Sequence, residues 1–255
     1  MSNQHDEALS RAFDGQAPQF ERAPVQSDAA ALERLVQAAD FPDRSRLLDA
    51  GCGPGLVAAA FLKAGCRVVG VDLSPEMIER ARGRCAFAGG SAQFLLGSVH
   101  DAGVEALAPF DGAYSRYVLH HVLDPRAFLA RQVELVRPGG IVVLSDHLTD
   151  PDPDRARWHQ DIEKARDKTH TRNFTAEELV DLFAEVGLVD VQHLEEDFSL
   201  DFDEWFDRGT PSSPKEEVRQ ELRRSPGVRG FLPLPHDGGA IRIDCVRSIV
   251  RGRKP

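Results

Sequence analysis

Short apolar runs alternating with helix-length segments constrain this chain more than any other feature of its sequence. Arg46-Leu47-Leu48-Asp49, Arg67 to Asp72 (RVVGVD), Ala92 to Leu96, Gly112 to Tyr117 and Gly140 to Ser145 (GIVVLS) each read as a short strand. These runs lack the apolar–polar alternation of a half-exposed strand, so both faces are to be covered. That is the condition of a mostly parallel sheet with helices on both sides. The segments between them suit helices. Leu56 to Ala64 is stopped by Gly65, Ser74 caps a helix that begins with Pro75 and runs to about Phe87, and Pro125 to Val136 precedes Arg137-Pro138-Gly139-Gly140.

The flanks read differently. Within the polar residues 1–45, Leu32, Leu35, Val36 and Ala39 recur at helical spacing. Asp150 to His170 is a charged helix after a Pro-containing start, and Thr175 caps a helix through Glu185 with Glu178 completing a capping box. Leu188 to Leu194 and Ile241 to Val250 form a closing strand pair. Residues 200–238 between them are rich in Pro, Gly and charge, as suits a mobile cover over a site rather than core. The whole, 1–255, is the length of one large α/β domain: an arm (1–45), a ligand-binding core (46–149) and a substrate-side part (150–255).

Charge and cysteines narrow the function. A formal net charge of −10 disfavours nucleic acid and anionic membranes as partners. No apolar run approaches the ~18 residues of a membrane span, and the first residues, MSNQHDEALSRAFDG, lack the basic start and apolar centre of a signal peptide. Cytoplasm is the expected compartment. Cys52, Cys66, Cys85 and Cys245 include no C-x-x-C pair, so buried free thiols are expected rather than a metal or disulfide framework.

The chemistry begins at the turn after the first strand, Gly51-Cys52-Gly53-Pro54-Gly55. In doubly wound sheets ligands bind at the carboxyl ends of strands, and glycines there allow close backbone approach. Asp72 ends the second strand 21 positions after Gly51 (72 − 51), where a carboxylate can accept from both ribose hydroxyls of an adenosine cofactor. A nicotinamide dinucleotide would fit this much. Two details speak against it: the third glycine comes one residue early, at Gly55, and Asp49 before the turn would repel a pyrophosphate but suits an ammonium.

Leu47 to Gly55 (LLDAGCGPG) resembles the first motif of class I S-adenosylmethionine-dependent methyltransferases, and Val69 to Ser74 (VGVDLS) their second. Phe110 to Ser115 followed by Val118-Leu119-His120-His121-Val122 resembles their fourth-strand region, and Leu135 to Gly140 the turn before strand five. The closest likeness is to ubiquinone/menaquinone-type and related small-molecule enzymes. The resemblance implies a Rossmann-like sheet of seven strands with one antiparallel, Ile241 to Val250, and an N-terminal helical lid carrying Phe13, Ala17 and Phe20. It implies S-adenosylmethionine as cofactor, with S-adenosylhomocysteine as product. Asp49, Gly51, Cys52 and Gly53 would line its methionine part, Asp72 its ribose, Leu73 and Met77 the adenine, Gly97, Ser98 and Val99 the adenine edge, and Ser115 and Arg116 the methionine end. Ser98 departs from the family, which usually has an acid there.

Methyl transfer needs in-line orientation, and a base only where the nucleophile must lose a proton. His120, His121, His147 and His170 are the candidate bases. Phe20, Trp158, Arg166 and Arg172 are candidate acceptor contacts, with Arg suited to a carboxylate, while Trp205 and Phe206 line the pocket or belong to the core. Asp146 could serve a metal, but the fourth strand offers no matching carboxylate, so no metal is expected. The reading is methyl transfer to an O, N, C or S atom of a small metabolite by a monomer or homodimer. The rivals are a cofactor-binding regulatory protein without activity and a nicotinamide-dependent oxidoreductase.

Overall fold

The computed structural model describes residues 2–255. In chain order the elements are α1 (Ser2–Arg22), α2 (Pro24–Ser27), α3 (Ala29–Ala39), β1 (Arg46–Ala50), α4 (Leu56–Lys63), β2 (Arg67–Asp72), α5 (Pro75–Arg84), β3 (Ala92–Leu96) and α6 (Ala102–Glu105). There follow β4 (Phe110–Arg116), α7 (Pro125–Leu135), β5 (Val136–His147), α8 (Pro153–Arg166), α9 (Ala176–Glu185), β6 (Val189–Asp201), α10 (Phe202–Asp207), α11 (Lys215–Arg224), β7 (Phe231–Pro235) and β8 (Ile241–Arg253).

Local chemistry places the helix starts. Ser74 Oγ accepts from Met77 N at 3.1 Å with Pro75 in the first turn. Thr175 and Glu178 close a reciprocal capping box. The strands line up in the order β3-β2-β1-β4-β5-β8-β6. β1 to β5 are mutually parallel, and β8 runs against β5, β6 and β7.

The unexpected eighth strand is β7. β8 outruns β5, which covers only Arg247 to Arg253; the edge left open beyond it, Ile241 to Cys245, is taken by β7. Backbone donors and acceptors that would otherwise be exposed are thereby paired.

Side-chain alternation along the strands divides the core. One face carries Leu48, Ala50 and Ala113 against α7 and α9, and the other carries Leu47, Val68 and Tyr114 against α3, α4 and α5. Each fully buried Leu or Val among them contributes about 1.5–3 kcal/mol. The 200–238 segment differs from expectation: Phe202, Trp205, Phe206, Val218 and Phe231 pack with Ile241 and Ile243 into a third apolar cluster. Its Pro, Gly and charge content hid these apolar residues, so it is core as well as cover. No described helix is long and apolar enough to cross a membrane.

Candidate active site

After β3 the chain returns across β1 to lay down β4, so connections diverge on either side of the β1–β4 pair. Such a switch point leaves a crevice at the strand ends, and a cavity of about 290 Å³ lies there. The turn after β1 holds Gly51, Gly53 and Gly55 at φ of 79°, 49° and 76°, a region glycine enters without penalty. Space requires glycine as well: a Cβ on Gly51 would stand 2.6 Å from Val118 Cγ2, and one on Gly55 3.0 Å from Ala81 Cα.

Two carboxylates face this turn. Asp49 is buried opposite Tyr114 of β4, and its Oδ2 has no hydrogen-bond partner. Burial pushes its pKa up to about 8, against the pull of the Tyr114 phenol and with help from Asp72. Asp72 accepts from Gly53 N at 2.8 Å through Oδ2 and from Ser74 N at 2.9 Å through Oδ1. Burial raises its pKa while these amides lower it. Leu73 and Met77 line the wall beyond Asp72, and Gly97, Ser98 and Val99 the wall beyond β3. Where an acid was expected, the Ser98 amide donates to Asp101 Oδ2 at 2.8 Å, which engages that carboxylate three residues on.

The N-terminal arm forms the roof. His5, Leu9, Phe13 and Phe20 line the cavity. Asp14 Oδ1 accepts from Ser74 Oγ at 2.6 Å and Glu76 N at 3.2 Å, Ser10 Oγ donates to the Leu73 carbonyl at 2.9 Å, and His5 Nε2 donates to the His121 carbonyl at 2.8 Å. Arg116 reaches the cavity, yet its guanidinium donates to the carbonyls of Val25 and Gln26 at 3.0 and 3.2 Å. It anchors the arm.

A second, smaller cavity of about 30 Å³ adjoins the first, and Phe20, Gln26, Tyr117 and His121 line both. Tyr117 has φ 58°, rare for a bulky side chain. It is held by an Arg247 N–H donating to its hydroxyl at 2.9 Å and by stacking on His147 at 4.5 Å. His120, His147 and Glu163 also face this cavity.

Electrostatics separates the four candidate histidines. His120 Nδ1 lies 2.6 Å from Asp146 Oδ1, and its backbone N–H donates to Oδ2 at 3.2 Å. Burial alone would lower the pKa of His120, but the Asp146 carboxylate raises it above the ordinary 6.5. Asp146 itself is held down to about 2: burial opposes ionisation, and His120 outweighs it. Burial and the nearby His120 push His121 and His147 down to about 3. His170 falls to about 2, through burial against the raising effect of Glu163. With Nδ1 donating to Asp146, the neutral His120 ring presents Nε2 as an acceptor.

Of the residues singled out from sequence, Asp49, Gly51, Cys52, Gly53 and Asp72 share the main cavity with the two walls, Arg116, His121 and Phe20. Ser115 lies outside it: strand alternation turns Arg116 toward the cavity and Ser115 to the opposite face, where its Oγ is buried without a partner. His170 lines neither cavity and bonds Gln160 Oε1 at 2.8 Å. Trp158 donates to Glu221 Oε1 at 3.1 Å, and Arg172 pairs with Glu178 over the Phe174 ring, both away from the cavities. Arg166 and Trp205 face the small cavity, whereas Phe206 belongs to the third cluster. Sequence reasoning missed Tyr117, Gln26, Glu163 and Arg208, which sit in no motif, and it read Asp146 only as a metal ligand. Among the described residues no group of three or more His, Cys, Asp or Glu could hold a metal ion.

A profile of the methyltransferase domain family matches residues 23–193. The ubiquinone biosynthesis O-methyltransferase of Xanthomonas axonopodis pv. citri is 35% identical over 104 residues, 41% of this chain and 44% of that one. Its counterpart in Xylella fastidiosa (strain 9a5c) is 36% identical over 101 residues, 40% and 41% of the two chains. The chain thus matches less than half the length of these curated relatives. Among solved structures, the YcgJ protein of Bacillus subtilis superposes with TM-score 0.77 at 23% identity, over 88% of this chain and 98% of that one. A putative methyltransferase of Bacillus halodurans does so with TM-score 0.75 at 22% identity, over 89% and 100%. The glycine turn and the two carboxylates lie within the span the profile matches, as do the strand ends below the cavity, and the chain belongs to the methyltransferase domain family.

Proposed function

We propose that the protein transfers a methyl group from S-adenosylmethionine to a hydroxyl oxygen of a small-molecule acceptor, with His120 accepting the proton. The observation that carries the cofactor is the unpartnered, buried Oδ2 of Asp49 beside a turn of three glycines and a second carboxylate. The residues fit the group: Asp49 offers an acceptor to the ammonium, Asp72 to the ribose hydroxyls, and Leu73, Met77 and Val99 an apolar wall to the purine. Bound there, S-adenosylmethionine supplies an electrophilic methyl on a sulfonium centre, which leaves orientation and proton removal to the protein. The arm excludes water, Tyr117 and His121 line both cavities, and His120, oriented by Asp146, holds Nε2 ready for a hydroxyl proton. Oxygen is favoured because a hydroxyl needs a base and the His120–Asp146 pair provides one. The names of the Xanthomonas and Xylella relatives agree.

Calorimetric titration with S-adenosylmethionine and S-adenosylhomocysteine tests the cofactor, and binding of neither would overturn it. The titration carries a pH signature. Asp49 is protonated below about 8, and holding an ammonium requires its anion, so binding releases a proton. Affinity for S-adenosylhomocysteine is expected to rise from pH 6 to 8, approaching roughly tenfold per unit, and to level off above. Asp49→Asn should bind more weakly with a flat profile; an unchanged slope in that variant would remove Asp49 from the site.

The arm gives a second test. Deleting residues 1–25 strips Leu9, Phe13 and Phe20 from the cavity and should weaken S-adenosylhomocysteine binding at least about tenfold, given the ~1.5–3 kcal/mol that each large apolar side chain contributes when buried. Undiminished affinity in the truncated chain would show that the arm is no lid.

A further inference from the structure

We propose that Arg208 and Arg166 form a carboxylate-binding subsite in the small cavity, so that the acceptor is a hydroxy acid; methyl transfer to that acid rests on the proposed function, the subsite does not. Arg166 ends α8 and Arg208 follows α10. Both are more than nine-tenths buried, at 8% and 5% exposed, and both line the small cavity. A guanidinium has five N–H donors, and buried donors ordinarily find partners. Here Arg166 Nε donates to the Trp205 carbonyl at 2.9 Å and Arg208 Nε to the Glu204 carbonyl at 3.3 Å. The terminal nitrogens of both side chains make no hydrogen bond to a described residue.

Carboxylates are nearby, but none takes these donors. Glu204 stands 3.8 Å from Arg208, and Glu163 and Asp167 stand 3.9 and 3.6 Å from Arg166, all beyond hydrogen-bond reach. Burial, and next the neighbouring Arg166, lower the pKa of Arg208 to about 10, with Glu204 only partly compensating. The two guanidiniums therefore keep unbonded terminal N–H groups and repel each other, while Glu204 Oε1 beside Arg208 is buried without a partner of its own.

Size and shape select the ligand. A cavity of about 30 Å³ holds about two waters, the space of the two oxygens of a carboxylate and less than a phosphate needs. The guanidinium fork matches a carboxylate bidentately. From there the body of the acid would leave past Tyr117 and His121 toward the main cavity, its hydroxyl passing His120. Sequence alone hid Arg208, which lies in the irregular segment after α10.

Matched probes test this by calorimetry, on the full chain with and without saturating S-adenosylhomocysteine: acetate, benzoate, neutral benzamide and inorganic phosphate. Benzoate is expected to bind at least roughly tenfold tighter than benzamide, from charge-assisted hydrogen bonds the amide cannot match. Arg208→Gln should erase that preference while binding S-adenosylhomocysteine like the wild type, and Arg208→Lys should restore part of it. Equal binding of benzoate and benzamide, no binding of either acetate or benzoate, tighter binding of phosphate than acetate, or full benzoate affinity in both Arg208→Gln and Arg166→Gln would each overturn the subsite. If S-adenosylhomocysteine fails to bind, the cofactor reading falls, and the acid–amide comparison on the protein alone still decides the subsite.

Discussion

Replacing His120 with Gln is expected to lower kcat by about 10²–10⁴-fold, the usual contribution of a general base, with S-adenosylhomocysteine affinity unchanged. The separation follows from position: His120 faces the small cavity and not the main one. The readout is S-adenosylhomocysteine formation with whichever hydroxy acid the wild type turns over fastest. The pH profile supplies the sign. Burial would lower the pKa of His120, but Asp146 lifts it above 6.5, and a base must be neutral to accept. The rate should therefore climb with pH to a plateau whose midpoint lies above 6.5. Asp146→Asn should move that midpoint down and lower the plateau, because the ring loses both its charge partner and the bond that sets its tautomer. His121, His147 and His170 are already held neutral near pH 7, so substitutions there should leave the limb in place. An unaltered kcat in His120→Gln would remove the base and, with it, the case for a hydroxyl acceptor.

Asp72→Ala should weaken S-adenosylhomocysteine binding at least about 100-fold, since two hydrogen bonds to a charged acceptor contribute about 1.5–3 kcal/mol each. The fold will register the change too. Asp72 holds the amides of Gly53 and Ser74, and a buried donor left unpaired costs about 1–3 kcal/mol. A lower Tm is thus expected alongside the lost affinity. Asp72→Asn separates the effects: its amide oxygen can keep one backbone partner, so Tm should fall less, while affinity still drops about tenfold or more with the charge gone. Calorimetry and thermal unfolding on the three proteins decide the matter, and wild-type affinity in Asp72→Ala would exclude Asp72 from the site.

The sequence by itself determined whatever rests on local pattern. Covered strands such as Arg67–Asp72, the Ser74 and Thr175 caps and the glycine turn are set by period, capping chemistry and backbone freedom within a few residues. They were legible without neighbours, and so was the placing of Asp49 and Asp72 near the carboxyl ends of β1 and β2. Tertiary structure alone decided which groups meet over long separations. Asp146 became the partner of His120 because parallel β4 and β5 bring their carboxyl ends together. Ser115 turned away from the cavity because neighbouring residues of a strand face opposite sides. β7 joined the sheet because β8 extends past β5 and leaves an open edge. Arg208 and Arg166 became neighbours because the segment after α10 packs on α8, and the terminal nitrogens left unbonded on both are a property of that packing that neither residue's local sequence encodes.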